Sequence, residues 1–335
     1  MGPLFTEGKK QSNELLVNER SGFKIINMKI VTLIPSATEI VSFLGQKKSI
    51  IGRSHECDFP KDLSKIIKLT EPKINVEGTS DEIHKQIEVI LEKSLSVYKV
   101  HVDELKKLNP DFIVTQSHCE VCAVSFAEVE NITREHLGKN TKIISLQPNK
   151  LHEVFDDIRR VAKSLNVDND HNNKLINNLQ IRLDNIKNKT KKLQKPKVLC
   201  VEWIDPLMAA GNWMPEMTKI AGGEDILGKI GVDSHWIKFE DIQNHDPDFI
   251  VFIPCGFNLS KTKEEVDKLL SKNNAWGKLK AFKNKNLYVT DGNQYFNRPG
   301  PRLIDSIEIL AEIFHSNTFD FGHKNKGWIN FFDKK

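Results

Sequence analysis

One short segment occurs twice in this sequence. The first copy reads NPDFIVTQSHC from Asn109, and the second reads DPDFIVFIPC from Asp246. Each copy follows a short amphipathic pattern, and the apolar run after each Pro-Asp pair is typical of a buried parallel strand. Because proline ends a helix and aspartate favours a turn, both copies predict the same helix–turn–strand unit. We therefore expect two similar lobes.

The similarity extends over most of the chain. A strand, a loop and a helix are predicted from Lys29 and again from Lys197, and each half ends with a further strand and helix. This alternation favours α/β lobes with mainly parallel sheets. Apolar residues at helical spacing predict one long bridging helix over 172–193, about 33 Å long at ~1.5 Å per residue. The fold class we expect is two α/β lobes, joined by that helix, with a ligand cleft between them.

The expected organisation has five parts. They are an N-terminal tail (1–27), a first α/β lobe (28–150), a helical connector (151–195), a second α/β lobe (196–316) and a C-terminal tail (317–335).

Charge and cysteine usage limit the classes of function. The 49 basic and 45 acidic residues are too balanced to indicate a nucleic-acid partner. No run reaches the ~18 apolar residues of a membrane span. Residues 1–27 contain neither a secretory apolar run nor a lipid-anchor cysteine, and the five cysteines are typical of free thiols. These features predict a cytoplasmic protein, periplasmic or at the cell surface only if a native signal is missing from this sequence.

Unusual residues collect where the predicted strands end. Ligands of open α/β sheets bind beyond the carboxyl ends of the strands. The segments at those positions read RSHECDFP, QSHCEVCAVS, EWIDPLMAAGNWMPEM, PCGF and DGNQYFNRPGPR. If the two lobes face each other, these loops line a single cleft.

Three kinds of side chain in these loops suit ligand binding. Arginines hold carboxylates or phosphates, aromatic rings stack on flat ligands, and a few polar groups orient them. The arginines are Arg53 and Arg298. The aromatic candidates are Trp203, Trp213, Phe257, Tyr295 and Phe296. The polar candidates are His55, Glu56, Cys57, Gln116, His118, Glu202, Asp205 and Asn297.

The pair Cys119 and Cys122 has three interpretations. A structural zinc site needs four ligands, so the fold would have to add others. A redox pair needs its first cysteine at a helix N-terminus, and the third interpretation is a packed loop. The candidate metal ligands are His55, Cys57, Cys119, Cys122 and Cys255. A separate pattern, Ser36 followed by Glu39, predicts a capping box at the first helix.

Several motifs together resemble a known family. They are MKIVTLIPSATEIVSFLG, HDPDFIV and AWGKLKAFKNKNLYVTDG, with SHECD, CEVCAVS, EWIDPLM, PCGF and YFNRPGPR. Over about 28–315 the chain resembles the periplasmic-binding fold of the cobalamin and ferric-siderophore receptor type, the substrate-binding proteins of ABC transporters. The resemblance implies a binding protein for cobalamin or a related corrinoid or tetrapyrrole such as haem, with no required cofactor.

The resemblance also implies an ABC permease as partner if the protein is exported. Zinc or iron would be bound only if the cysteine and histidine loops converge. The alternative is a cytoplasmic metal- or thiol-dependent enzyme that uses those loops on the same scaffold. We expect binding rather than catalysis.

Overall fold

The computed structural model describes residues 28–93, 96–117, 124–137 and 139–333. The strands are β1 (Ile30–Thr32), β2 (Ile50–Arg53), β3 (Thr70–Pro72), β4 (Tyr98–Val100), β5 (Phe112–Gln116), β6 (Lys142–Leu146), β7 (Lys197–Trp203), β8 (Met208–Ala209), β9 (Glu224–Asp225), β10 (His235–Trp236), β11 (Phe249–Phe252), β12 (Leu287–Thr290) and β13 (Trp328–Asn330). The α-helices are α1 (Pro35–Phe43), α2 (Ser80–Glu92), α3 (Val102–Leu108), α4 (Phe126–Ile132), α5 (Leu151–Ser164), α6 (Asn169–Thr190), α7 (Met214–Ile220), α8 (Phe239–His245), α9 (Leu259–Lys272), α10 (Lys280–Lys283) and α11 (Leu303–Phe314).

Each lobe is built on a parallel sheet. In the first lobe the order is β2-β1-β5-β6, and every neighbouring pair is parallel. In the second lobe β7, β11 and β12 are parallel, while β8, β10 and β13 add antiparallel strands at the edges. A small antiparallel pair, β3 and β4, stands beside the first sheet. The predicted pair of α/β lobes with mainly parallel sheets is confirmed.

The repeated Pro-Asp unit has the same geometry in both lobes. Helix α3 ends at Asn109 with φ 45°, and helix α8 ends at Asp246 with φ 42°. Asparagine and aspartate tolerate this left-handed conformation better than other non-glycine residues. The chain then turns through proline into the central strands β5 and β11. The repeat therefore encodes a helix end and the start of a buried strand.

The aspartate of each repeat also ties two strands together. Asp111 accepts a hydrogen bond from the backbone N–H of Lys29 at 2.9 Å, just before β1. Asp248 accepts one from the backbone N–H of Lys197 at 2.8 Å, at the start of β7. The strand that opens each lobe is thereby fixed beside the central strand. The corresponding aspartates of the two copies therefore make the same stabilising hydrogen bond.

Helix α6 is the predicted bridge between the lobes. It runs from Asn169 to Thr190, a few residues earlier than the predicted 172–193. The side chain of Asp168 sets its start by accepting the backbone N–H of His171 at 2.9 Å, as an N-cap does. One face of the helix is buried, including Ile176, Leu179, Leu183 and Ile186. These side chains belong to a core that includes residues of both lobes.

Residues 317–333 form part of the second lobe. Strand β13 pairs antiparallel with β12, and Trp328 donates its indole N–H to Glu312 of α11 at 2.6 Å. His323 contacts Glu308 at 3.0 Å, and Glu308 also pairs with Arg182 of the bridging helix. The sequence predicts a C-terminal tail at 317–335. Its aromatic residues instead extend the sheet, while the tail at 1–27 lies outside the described residues.

In the described part of the chain, none of the helices combines the length and apolar character that a membrane crossing requires.

Candidate functional site

The loops at the strand ends of the two lobes meet. Glu39 of the first lobe contacts Arg298 and Arg302 of the second, and Asp58 contacts Asn293 and Arg298. Two further contacts join Ser80 to Glu265 and the backbone carbonyl of Val76 to Lys261. Most of these residues follow a strand or begin the next helix. The carboxyl ends of the two parallel sheets therefore border a common interlobe space, which is the candidate ligand site.

Arg298 is the most connected side chain of this contact. Its guanidinium donates to both carboxylate oxygens of Asp58 at 2.5 and 3.2 Å, across the lobe boundary. It also contacts Glu39 at 3.3 Å and Asn293 at 2.9 Å. Arg298 is only 6% exposed, and the neighbouring carboxylates raise its pKa. A buried guanidinium requires such partners, because an unpaired charge away from water is costly.

A second arginine completes the cluster. Arg302 donates to the two oxygens of Glu39 at 2.9 and 2.6 Å. Its guanidinium also stacks on Phe59 at 4.1 Å from the ring centre. Two carboxylates of the first lobe thus balance two arginines of the second. We call Glu39, Asp58, Arg298 and Arg302 the interlobe ion cluster.

The predicted capping box at the first helix is wrong. Helix α1 begins at Pro35 after Ile34, and no side chain caps it. Ser36 is buried, and its hydroxyl finds no hydrogen-bond partner among the described residues. Glu39 turns away from the helix start because the two arginines of the other lobe attract its carboxylate more strongly than a neutral backbone amide does.

The sequence predicts that Arg53 contacts the ligand, but in the structure its side chain binds the backbone of its own lobe. Its guanidinium donates to four backbone carbonyls, those of Ser54, Cys57, Leu63 and Ser64, at 2.7–3.1 Å. The side chain is 3% exposed. It holds the SHECD loop in shape, which positions His55, Glu56 and Asp58 at the cleft.

His55 and Glu56 form a polar group with β3 and β4. The Nδ1 atom of His55 lies 2.7 Å from the hydroxyl of Thr70, and burial lowers the histidine pKa to about 4. Its imidazole is therefore neutral at pH 7, the form that can ligate a metal. Glu56 accepts a hydrogen bond from Tyr98 at 3.0 Å, and burial raises its pKa to about 7.

The candidate metal set is not assembled in the described part of the chain. Cys57 is 3% exposed, its sulfur accepts a hydrogen bond from Thr38 at 2.9 Å, and burial raises its pKa to about 12. Such a thiol is a poor metal ligand and a poor nucleophile. His118, Cys119 and Cys122 lie outside the described residues. Among described residues no group of three or more His, Cys, Asp or Glu side chains could hold a metal ion.

The second lobe contributes an aromatic pair and a buried carboxyl. The rings of Trp203, the last residue of β7, and Phe257, in the loop after β11, lie 5.2 Å apart. The indole N–H of Trp203 is buried and has no hydrogen-bond partner among the described residues. Beside it, Glu202 accepts a hydrogen bond from Ser234 at 2.7 Å, and burial raises its pKa to about 7.

Several other predicted residues stabilise the loops themselves. Trp213 is 6% exposed and donates to the backbone carbonyl of Phe296 at 2.8 Å; Phe296 is fully buried. Asn297 donates to the carbonyls of Ile253 and Gly292. Asp205 pairs with Lys272 of its own lobe at 2.6 Å.

Tyr295 lies in the loop after β12, and Gln116 is the last residue of β5. Tyr295 is half-buried, and Arg302 lies 5.4 Å from its ring centre. Gln116 ends β5 and is 4% exposed.

An open cavity of about 630 Å³ lies in the interlobe space, within the ~300–1,000 Å³ typical of ligand sites. Its walls combine the carboxyl ends of β5 and β6 with a loop of the second lobe. The lining residues are Ser117, Gln147, Asn149, Gly231, Val232 and Asp233. None of these is a predicted site residue, so the cavity adds a polar side to the candidate site.

The raised pKa values of Glu56 and Glu202 predict a pH dependence of stability. Each carboxyl binds its proton more tightly in the folded than in the unfolded chain, so stability decreases as the pH rises from about 4.5 to about 7. Glu56→Gln and Glu202→Gln remove this ionisation. Each variant should exceed the wild type by up to roughly 2–3 kcal/mol at pH 8 and match it near pH 4.5.

Urea unfolding at the two pH values checks this prediction. Exposed Glu130→Gln is the matched control and should change stability equally at both. A gain for Glu56→Gln that is the same at both pH values would contradict the assignment.

The sequence did not identify the partners of Arg298. The pattern predicts a capping role for Glu39, and neither Asp58 nor Asn293 is among the predicted site residues. One signal was available for Glu39, because it is the sole charge in the apolar helix PSATEIVSF. A carboxylate that a helix buries requires a cationic partner from elsewhere in the fold.

Relatives with similar sequences are transport proteins. The chain is 24% identical over 299 residues to the uncharacterized ABC transporter substrate-binding lipoprotein YvrC of Bacillus subtilis, covering 87% of this chain and 81% of that protein. It is 31% identical over 197 residues to the high-affinity heme uptake system protein IsdE of Staphylococcus aureus. That alignment covers 56% of this chain and 62% of the relative.

Solved structures share the fold at lower identity. The periplasmic vitamin B12 binding protein BtuF of Vibrio cholerae superposes with a TM-score of 0.62 and 17% identity, covering 87% of this chain and 98% of BtuF. The structure of S. aureus IsdE complexed with heme superposes with a TM-score of 0.64 and 18% identity, covering 86% of this chain and 99% of IsdE.

The expectation of a cytoplasmic protein is wrong. The model of the periplasmic binding protein family matches residues 30–294, and YvrC is a lipoprotein. The expectation depended on free thiols and on the absence of a signal. Cys57 and Cys200 are buried, and burial raises the pKa of both thiols, so they need no reducing compartment.

The same family match distinguishes the two functional hypotheses, a ligand-binding protein and an enzyme. It confirms the preference for a binding protein, and the cytoplasmic enzyme is not supported. Because the match extends over more than half of the chain, this protein belongs to the periplasmic binding protein family.

Proposed function

We propose that this protein binds a tetrapyrrole, either a corrinoid such as cobalamin or a haem, between its two lobes. The observation that carries the proposal is the aromatic pair Trp203 and Phe257 in the second lobe, together with the polar group of His55, Glu56 and Tyr98 in the first lobe. A flat ligand would stack on the aromatic pair, while polar groups of the opposite lobe orient its edge.

The chemistry of the first-lobe group suits a metal-bearing ring. His55 is neutral at pH 7, and its Nδ1 atom is engaged by Thr70. The Nε2 atom is then the one that would ligate the iron or cobalt of the ligand. Glu56 and Glu202 are close to half-protonated at pH 7, so both can donate as well as accept hydrogen bonds.

Membership of the family gives the proposal its physiological setting. YvrC is named as a substrate-binding component of an ABC transporter, and IsdE as part of a heme uptake system. By analogy, this protein would present its ligand to an ABC permease. BtuF is named as a vitamin B12 binding protein and IsdE was solved with heme, so the choice between corrinoid and haem has to be measured on this chain.

A spectral titration tests the proposal. Haemin and hydroxocobalamin are each added to the purified protein while the visible spectrum and the tryptophan fluorescence are recorded. We expect a saturable change with one of them and quenching of fluorescence, because Trp203 would lie against the ring. No change with either ligand at tens of micromolar, roughly −6 kcal/mol of binding energy, would remove the proposal.

A further inference from the structure

We propose that Asp58 occupies an anion subsite formed by Arg298 and Asn293, and that an anionic group of the ligand displaces it on binding. The proposal rests on the proposed function for the identity of the ligand, but not for the existence of the subsite. It assigns to Asp58 the role of an internal competitor, and it predicts that the site selects ligands with a carboxylate or a phosphate.

The geometry around Arg298 separates a permanent partner from an exchangeable one. Both carboxylates contact the Nη1 atom of Arg298, but the side chain of Glu39 is 2% exposed, whereas that of Asp58 is 45% exposed. Asp58 binds Arg298 through both oxygens and also accepts a hydrogen bond from Asn293 at 3.0 Å. This is the bidentate arrangement in which arginine holds a ligand carboxylate or phosphate.

The position of Asp58 allows the exchange. It lies in the loop after β2, at the ligand-facing end of the first sheet, and the next residues are Phe59 and Pro60. Arg298 lies in the loop after β12, at the matching end of the second sheet. Removing Asp58 would leave Arg298 held by Glu39 and Asn293, so the subsite keeps its shape when the occupant leaves.

Charge balance favours replacement by another anion. Glu39 and Asp58 together neutralise Arg298 and Arg302. When Asp58 moves out into water, an incoming carboxylate or phosphodiester restores the balance, while a neutral group leaves Glu39 as the one carboxylate of the cluster for two arginines. A ligand can bind only while Asp58 is out of the subsite. The apparent association constant is therefore the intrinsic one multiplied by the fraction of molecules in which the subsite is empty.

The test uses inorganic phosphate first, so that it does not depend on the tetrapyrrole. Trp213 contacts Phe296 near the subsite and reports on it by fluorescence. Asp58→Asn should bind phosphate about tenfold more tightly than the wild type, equivalent to about 1.4 kcal/mol, and adding Arg298→Gln should abolish the gain. Asp62→Asn, an exposed acid of the same region that pairs with Lys47, is the control and should show no gain.

Haemin, haemin dimethyl ester and hydroxocobalamin then identify the source of the anion. A gain for Asp58→Asn with haemin but not with its ester supports a ligand carboxylate, and a gain with hydroxocobalamin supports a phosphodiester. Asp58→Ala serves as a second variant, with melting temperatures recorded for all proteins.

Phosphate affinity equal to that of the wild type in both Asp58 variants overturns the inference, even if haemin binds. A phosphate gain with no binding of any tetrapyrrole supports the subsite and instead overturns the proposed function.

Discussion

Glu39→Gln is expected to lower the free energy of unfolding by about 3–5 kcal/mol, because it leaves Arg302, whose side chain is only 11% exposed, without its carboxylate. Glu39 is 3% exposed and binds Arg302 through both oxygens as well as contacting Arg298. Asp58 can still neutralise Arg298. The loss therefore falls mainly on Arg302, which has stacking contacts but no other carboxylate within salt-bridge distance among the described residues.

Urea unfolding of Glu39→Gln beside exposed Glu130→Gln measures this effect. The control should remain within about 0.5 kcal/mol of the wild type. A loss below about 1 kcal/mol for Glu39→Gln, the size typical of exposed ion pairs, would show that the interlobe ion cluster is open to water in solution. In that case the two lobes would not be held together at this point.

Trp203→Ala is expected to weaken binding of the preferred tetrapyrrole by about 10- to 100-fold, because a central aromatic contact commonly contributes 2 kcal/mol or more. Trp203 and Phe257 form the aromatic side of the candidate site. Trp203 is the better target, since Phe257 is 3% exposed and packs in the loop. The spectral titration of the variant gives the affinity directly.

Phe321→Ala is the matched control for this experiment, because Phe321 is 42% exposed and lies in the C-terminal segment. It should bind like the wild type. Equal affinities for Trp203→Ala and the wild type would place the ligand elsewhere. A parallel melting curve separates lost binding from lost folding.

The sequence predicts the fold well because each helix and strand depends mainly on residues that are close together in the chain. The repeated Pro-Asp unit appears as two matching helix ends, at Asn109 and Asp246, followed by two buried strands. Helix α6 has an apolar face at regular spacing, so it was predicted within a few residues. These features depend on residues close together in the chain, and a repeat doubles each signal.

The candidate site was less predictable because its contacts join distant residues. Arg53 ends β2 and Arg298 lies in the loop after β12, and both were predicted to hold a ligand anion, yet one binds four backbone carbonyls and the other crosses to the opposite lobe. Nothing local distinguishes them. The C-terminal segment is a similar case, since β13 exists only because the edge of β12 lies beside it.

The reactivity of the cysteines was also difficult to predict from the sequence. Cys57 lies in a polar motif that suggested chemistry, but the fold buries it against Thr38. Whether Cys119 and Cys122 approach Cys255 stays a prediction. Burial, rather than the neighbouring residues in the sequence, decides whether a thiol is reactive.

Hydrogen–deuterium exchange with and without the bound tetrapyrrole tests most directly whether the ligand lies between the lobes. We predict that binding protects backbone amides of both lobes, in the loops 54–58, 202–207, 254–257 and 291–298, and leaves the outer helices unchanged. Protection confined to one lobe, or to residues away from these loops, would contradict the account.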